Sequence, residues 1–417
     1  MNKISYLRKR INEEYNNKEY KNAVEVGEIL LREHWHNRSM YSSGYTNDLF
    51  NLAQAYDELG NLERAAELYS DSARQLASLE GESVIFANRL SCLAITLGRM
   101  GIKEPAYFIH SQVMSVIKEQ IGSTGREYGD SLYNLANAAA DTGRKTEALR
   151  YHMDALKVRQ NTGQIEDAIN SLHSIAFLYE NDKRYDKAVS YAEAAMDILE
   201  GSTIDDDQLA AGACNYLAGL YEHLKERQKA LDMYEKVQII IRRQVGCEHS
   251  SYMNVANRKA NLLTQMGRPR EALACHQEVC EIFQNISGKN HMFYANCLRN
   301  MAILHKTLGE DIKAESLILE SMKIRKETED ITTDILFLIR LHLNAGARDK
   351  AMEALIYALM RSDSNAGEFN GLINALTEAF SDAGEMGASE IMDVMEALND
   401  KEKLAPIISK WNNWEAD

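Results

Sequence analysis

The sequence predicts an all-α fold, an α-solenoid of about nine to ten helical hairpins, and three regularities carry that prediction. Alanine returns at Ala65, Ala106, Ala148, Ala188, Ala230, Ala272 and Ala314, at intervals of 41, 42, 40, 42, 42 and 42 residues. Twelve residues before each stands a second alanine: Ala53, Ala94, Ala136, Ala176, Ala218, Ala260 and Ala302. Five residues before each member of the first series lies a turn position, and with the two ends of the array it reads Lys18, Gly60, Gly101, Gly143, Lys183, Lys225, Gly267, Gly309 and Gly346. A fixed period of this length marks an array of one structural unit, in which each copy touches only its neighbours.

The third clear copy, Asp130 to Gln160, shows the unit. Leu132, Leu135, Ala136 and Ala139 follow helical spacing and make one apolar face. Gly143 then ends the helix, as a left-handed cap residue does. Ala148, Ala155 and Leu156 make a second apolar stripe. The paired alanines bring the two helices, A and B, close together; a leucine at either position would overpack the contact at a cost of about 1–3 kcal/mol.

Along the chain the first hairpin spans Ile4–Trp35, around Lys18 and Ala23. The next seven copies follow with the alanine pairs. Pro105 and Pro269 fall early in predicted B helices, where a missing N–H does no harm. The "DDD" at 205–207 lies in the linker between the fourth and fifth clear copies and reads as solvated. A further full copy lies near Leu336–Met360, a degenerate one runs from about Phe369 to Leu398, and a helix near Leu404–Trp414 caps the stack. The turn spacing shortens to 37 and 38 residues at Gly346 and Gly384, so the end of the array packs differently from its middle. The expected organisation is one continuous solenoid, with the regular array over 1–362 and the degenerate repeat and cap over 363–417. Trp411 and Trp414 share a helical face, which either covers the last hairpin or inserts into the groove of a second molecule; the latter would give a dimer or an autoinhibited state.

Composition narrows the function. A net charge of −15 leaves no basic surface for nucleic acid. No run approaches the roughly 20 apolar residues of a membrane helix, and the N-terminus has no apolar core of the signal-peptide type. The cysteines Cys92, Cys214, Cys247, Cys275, Cys280 and Cys297 fall within helical patterns, as expected of reduced thiols in a cytoplasmic protein. There is no phosphate-binding glycine loop, nucleophile elbow or zinc-protease motif. His34 and His36, beside Glu33, alternate along a helix and point apart; Cys275 and Cys280 are five apart, off the spacing that shares a face. His110, His152 and His276 share one B-helix position with Tyr69 and Tyr234, and read as packing residues with a hydrogen-bonded nitrogen. The expected protein is therefore not an enzyme and uses no cofactor or metal.

"LFNLAQAYDELGNLERAAELY" (49–69) and "LYNLANAAADTGRKTEALRYHMDAL" (132–156) carry a resemblance to the tetratricopeptide repeat: a large residue, Leu-Ala, a second large residue, a turn, then the helix-B alanine. "GKNHMFYANCLRNMAILHKTLG" (288–309) looks like the kinesin-light-chain type, although Met292 and Ser250 stand where that type usually has proline after the linker histidine. The resemblance covers roughly 330 residues. It implies a right-handed superhelix with a concave groove lined by the A helices.

Thirteen residues before each turn come Asn47, Asn88, Asp130, Asn170, Gly212, Asn254 and Asn296, and one helical turn later Asn51, Cys92, Asn134, Ser174, Tyr216, Arg258 and Asn300. The resemblance places both sets in the groove. Asparagine is a mediocre helix former, and its amide can pair with both the C=O and the N–H of an extended backbone. The expected peptide-binding set is Asn47, Asn51, Asn88, Asn134, Asn170, Asn254, Arg258, Asn296, Arg299 and Asn300. Shared ancestry of the repeats, or capping of the preceding linker, would also produce such a series. Phe50, Tyr133, His173, Asn215, Asn257 and Arg299, with Asn137, Phe177 and Asn261 one turn on, would select the ligand. Arg258, Arg299 and Lys306 cluster late in the array, and Glu58, Asp141, Glu180 and Glu222 lie mostly earlier; a ligand with a basic stretch and an acidic end suits that order. The leading expectation is a protein- or peptide-binding adaptor. A signal-peptide receptor that switches to regulate a partner, and a regulatory subunit of a protease or motor assembly, are the alternatives.

Overall fold

A computed structural model describes residues 3–357, apart from 38, 203–205, 248, 288–291, 326–330, 348, 352 and 355–356. The degenerate repeat, the capping helix with Trp411 and Trp414, and the end of the copy near Leu336–Met360 lie outside the described residues. Among those described there are seventeen helices and no strand. The chain divides into two compact units, residues 1–206 and 207–417.

The first unit contains five hairpins: α1 (Lys3–Asn16) with α2 (Tyr20–His36), α3 (Ser43–Glu58) with α4 (Leu62–Glu80), α5 (Val84–Arg99) with α6 (Lys103–Ile121), α7 (Arg126–Asp141) with α8 (Lys145–Asn161), and α9 (Ile165–Asn181) with α10 (Tyr185–Glu200). The second contains α11 (Asp207–His223) with α12 (Arg227–Val245), α13 (Ser250–Gln265) with α14 (Pro269–Ser287), α15 (Met292–Thr307) with α16 (Asp311–Arg325), and α17 (Thr332–Asn344), followed by helical residues at 349–351, 353–354 and 357. Within each unit every helix packs on the one before it and the one after it. B helices of up to 19 residues account for a period wider than 34.

All nine turn positions adopt the left-handed conformation, the lysines at φ 59–62° and the glycines at φ 69–80°. Each closes a Schellman motif. At the second hairpin Gly60 N–H donates to Asp57 O at 3.0 Å and Asn61 N–H to Tyr56 O at 3.0 Å; at the fifth Lys183 N–H donates to Glu180 O at 2.7 Å and Arg184 N–H to Tyr179 O at 2.9 Å. The fourteen paired alanines are at most 3% exposed, which is the close helix contact their size permits. Ser42, Asn61 and Ser83 cap α3, α4 and α5 through their side chains. Pro269 opens α14 and Pro105 is the third residue of α6.

Candidate functional site

The A helices set the asparagines in a consistent register. Asn47, Asn88, Asn170 and Asn254 are exposed, while the residue after each (Asp48, Arg89, Ser171 and Val255) is buried. Asp130 and Asn296 are half-buried and are again followed by buried Ser131 and Cys297. Each of these residues lies a turn inside its helix, so none is an N-cap; Ser42, Ser83 and His249 take that role at α3, α5 and α13. One turn on, Asn51, Asn134 and Asn300 are half-buried and Arg258 is exposed. Asn51 Nδ2 donates to Asn12 Oδ1 of the preceding A helix at 3.3 Å, so the amides also link neighbouring hairpins.

Buried cations hold part of this row from behind, a feature the spacing of the asparagines does not reveal. Arg89, 2% exposed, donates to Asn47 Oδ1 and to Ser72 Oγ at 2.8 Å, and lies 5.7 Å from the Phe50 ring. Burial lowers its pKa from the ordinary guanidinium value. Arg159 donates to Asp130 Oδ1 at 2.9 Å, Ser171 Oγ at 2.9 Å and Asp167 O at 3.0 Å, and stacks 4.3 Å over Tyr133. Arg325 donates to Asn296 Oδ1 and to Ser321 Oγ at 3.3 Å, with Asp334 at 3.6 Å. With the oxygens of Asn47 and Asn296 engaged, the Nδ2 donor is the half of each amide left to face outward. At the first junction His34 takes the corresponding place. Its ring nitrogens lie 2.7 Å from Asp48 Oδ2 and 2.7 Å from Ser39 Oγ, and Arg8 closes on Asp48 at 2.6 and 2.7 Å.

A sequence signal for this exists. Sixteen residues after the turn the B helices carry apolar Leu76, Ile117, Leu199 and Ile241, but His34, Arg159 and Arg325 interrupt the series. Each polar exception faces a polar residue twelve before the next turn: Asp48, Ser171 and Asp334.

The expected cationic cluster is divided. Arg299 Nε donates to Asp334, which is fully buried, so this guanidinium already holds a carboxylate within the fold. Lys306 lies 5.4 Å from the Phe337 ring, and burial, then Arg340, lowers its pKa. Arg258 remains exposed; its Nη1 contacts Tyr234 Oη at 3.5 Å, and the tyrosine donates in turn to Glu222. Of the flanking positions Phe177, Asn137 and Asn261 are exposed, and His173, Asn215 and Asn257 half-buried. Tyr133 Oη is 3.2 Å from Ser174 Oγ.

The packing role of the B-helix position holds, and one nitrogen of each ring is left without a partner. His110, His152 and His276 are 1–5% exposed, and their Nδ1 atoms have no hydrogen-bond partner among the described residues. The Tyr133 ring lies 5.2 Å from that of His152, and His276 is hydrogen-bonded to Cys297. Burial lowers the pKa of His110 and of His152 to about 4, with Arg159 adding to the second shift, so both are neutral imidazoles. Among the described residues no three His, Cys, Asp or Glu side chains converge as a metal site, and no helix is long and apolar enough to cross a membrane.

Comparison with known proteins places this arrangement. Tetratricopeptide-repeat profiles match residues 49–73, 129–162, 169–198, 208–284 and 251–327, together just over half of the chain. The apo form of RapI is similar at a TM-score of 0.53 and 13% identity, covering 85% of this chain and 97% of that one. The C-terminal part of a TPR repeat-containing protein from Cytophaga hutchinsonii is similar at 0.50 and 13%, covering 68% and 98%. Kinesin-light-chain nearly identical TPR-like repeats from Podosopora anserina are similar at 0.44 and 21%, covering 49% and 98%. No curated protein matches the sequence.

Proposed function

We propose that this chain, which belongs to the tetratricopeptide-repeat family, is a non-enzymatic scaffold or adaptor that captures an extended segment of a protein or peptide along its A helices. The repeat fold is a scaffold suited to protein binding. The observation that supports the finer reading is the alternation on the A helices: an exposed amide at Asn47, Asn88, Asn170 and Asn254, each immediately before a buried residue. Burial of the second residue fixes the helix rotation, and so fixes the direction of the first. Amides held in this way at Asn88, Asn170 and Asn254 can donate to a ligand C=O and accept from its N–H, and Asn47, whose Oδ1 accepts from Arg89, can donate; such pairing binds a strand without reading its side chains.

Selection of a random dodecapeptide library on the full chain supplies ligands for the test. Each amide forms one or two hydrogen bonds, each contributing about 0.5–1.5 kcal/mol net. The double substitution Asn88→Ala, Asn170→Ala is therefore expected to weaken every selected peptide by about ten-fold or more, whatever its sequence. Peptides that bind the double variant as tightly as the parent would count against backbone capture.

A further inference from the structure

The register of the asparagines is held by Asp130 in the first unit and, in the second, by Gly212 of α11, the one position in the series without a side chain. A Cβ built on Gly212 meets no atom within 4 Å. Here α11, α12 and α13 line an open pocket of about 780 Å³, well within the size range of ligand pockets. Its back wall is buried and apolar, formed by Val237, Ile241 and Val255. Asn254 and Arg258 also line it, and both are exposed. Arg258 reaches Glu222 only through the Tyr234 hydroxyl and forms no ion pair among the described residues. In a chain of net charge −15, an exposed cation beside a pocket with an apolar back wall stands out against its background.

We infer that this cavity is a specificity pocket, which receives one large apolar side chain of the captured segment while Arg258 pairs with an aspartate or glutamate beside it. The inference rests on the proposed capture of an extended segment along the A helices. Two chemistries meet at one place: Val237, Ile241 and Val255 remove apolar surface from water, and a guanidinium receives a carboxylate in paired hydrogen bonds. Without a side chain at position 212, the ligand gains the room that an asparagine occupies elsewhere. The Asn254 amide beside it would then hold the backbone, and this pocket would read the sequence.

The dodecapeptide library is selected in parallel on the parent chain, on Gly212→Trp and on Arg258→Glu, with circular dichroism confirming the helical content of each. Gly212→Asn, a smaller change, repeats the first arm should the tryptophan variant not fold. The parent is expected to enrich peptides with Leu, Ile, Met or Phe next to, or one position removed from, Asp or Glu. Gly212→Trp should lose the apolar preference, and Arg258→Glu should exchange the acidic preference for Lys or Arg. Peptides selected on the parent should bind either variant about ten-fold or more weakly, and Gly212→Ala as well as the parent. Enriched peptides that lack the apolar–acidic pair, or that bind both variants unchanged, would overturn the pocket assignment and leave backbone capture standing. Failure of the parent to enrich any peptide would overturn both.

Discussion

At the residue scale, the most consequential side chains are those whose neighbours do not match their chemistry. His110 and His152 lie in B-helix positions that elsewhere hold Tyr69 and Tyr234, and burial keeps both rings neutral with a pKa near 4 against an ordinary 6.5. An unfolded chain takes up protons at both rings as the pH falls below 6.5; the folded chain does so only near 4. Stability is therefore intact above 6.5 and is lost between 6.5 and about 4, by up to about 3 kcal/mol per ring at the full shift. Replacing both with phenylalanine is expected to flatten the acid limb of a denaturation-midpoint profile across that window. A limb of unchanged slope would show that other groups carry the acid sensitivity. The histidines' burial was legible from their register beside Tyr69 and Tyr234. The unpartnered Nδ1 of each was not, because that depends on which side chains the neighbouring helices present.

At the scale of the element, the hairpin and the junction between hairpins obey different rules. The hairpin was legible because its constraints are local. A left-handed turn residue and two small residues twelve apart are requirements within one repeat, and Lys18, Lys183 and Lys225 meet the same φ demand that glycine meets in the other six. The junction joins side chains from successive repeats, so its chemistry shows only when two registers are read together: His34 against Asp48, Arg159 against Ser171, Arg325 against Asp334. Where both positions are apolar the junction is ordinary core. Where both are polar it is a buried network, and removing one member costs each of the others a buried partner. Asp48 is 1% exposed and accepts from Arg8, with His34 at 2.7 Å. Asp48→Ala is expected to destabilise the first unit by about 3–5 kcal/mol, measured by chemical denaturation. A loss below about 1 kcal/mol would show that Arg8 and His34 find solvent or other partners readily. These networks also hold the row of amides: a cation that fixes Asn47 Oδ1 or Asn296 Oδ1 sets which half of the amide points away from the helix.

At the scale of the whole molecule, the proposed capture relies on the repeat of one register along the chain to add up contacts that are weak singly. One exposed asparagine is unremarkable; the same residue at one helical position in α3, α5 and α9 of the first unit, and again in α13 of the second, would offer the proposed ligand repeated backbone contacts, each worth little alone. The sequence showed this series and the resemblance pointed it toward a ligand. The structure adds that the exposed amides are neither caps nor core, that Arg299 is committed to Asp334, and that the row opens into a cavity at Gly212. Which ligand the proposed surface takes was not legible, because capture through backbone groups would leave little record of the ligand in the residues that bind it. The most direct test is a crystal structure of the full chain with one of the selected peptides. The account predicts an extended peptide whose C=O and N–H groups lie within hydrogen-bonding distance of the Asn88 and Asn170 amides or of the Asn254 amide. A peptide seated on the B helices, or one held only through its side chains with those amides unengaged, would contradict it.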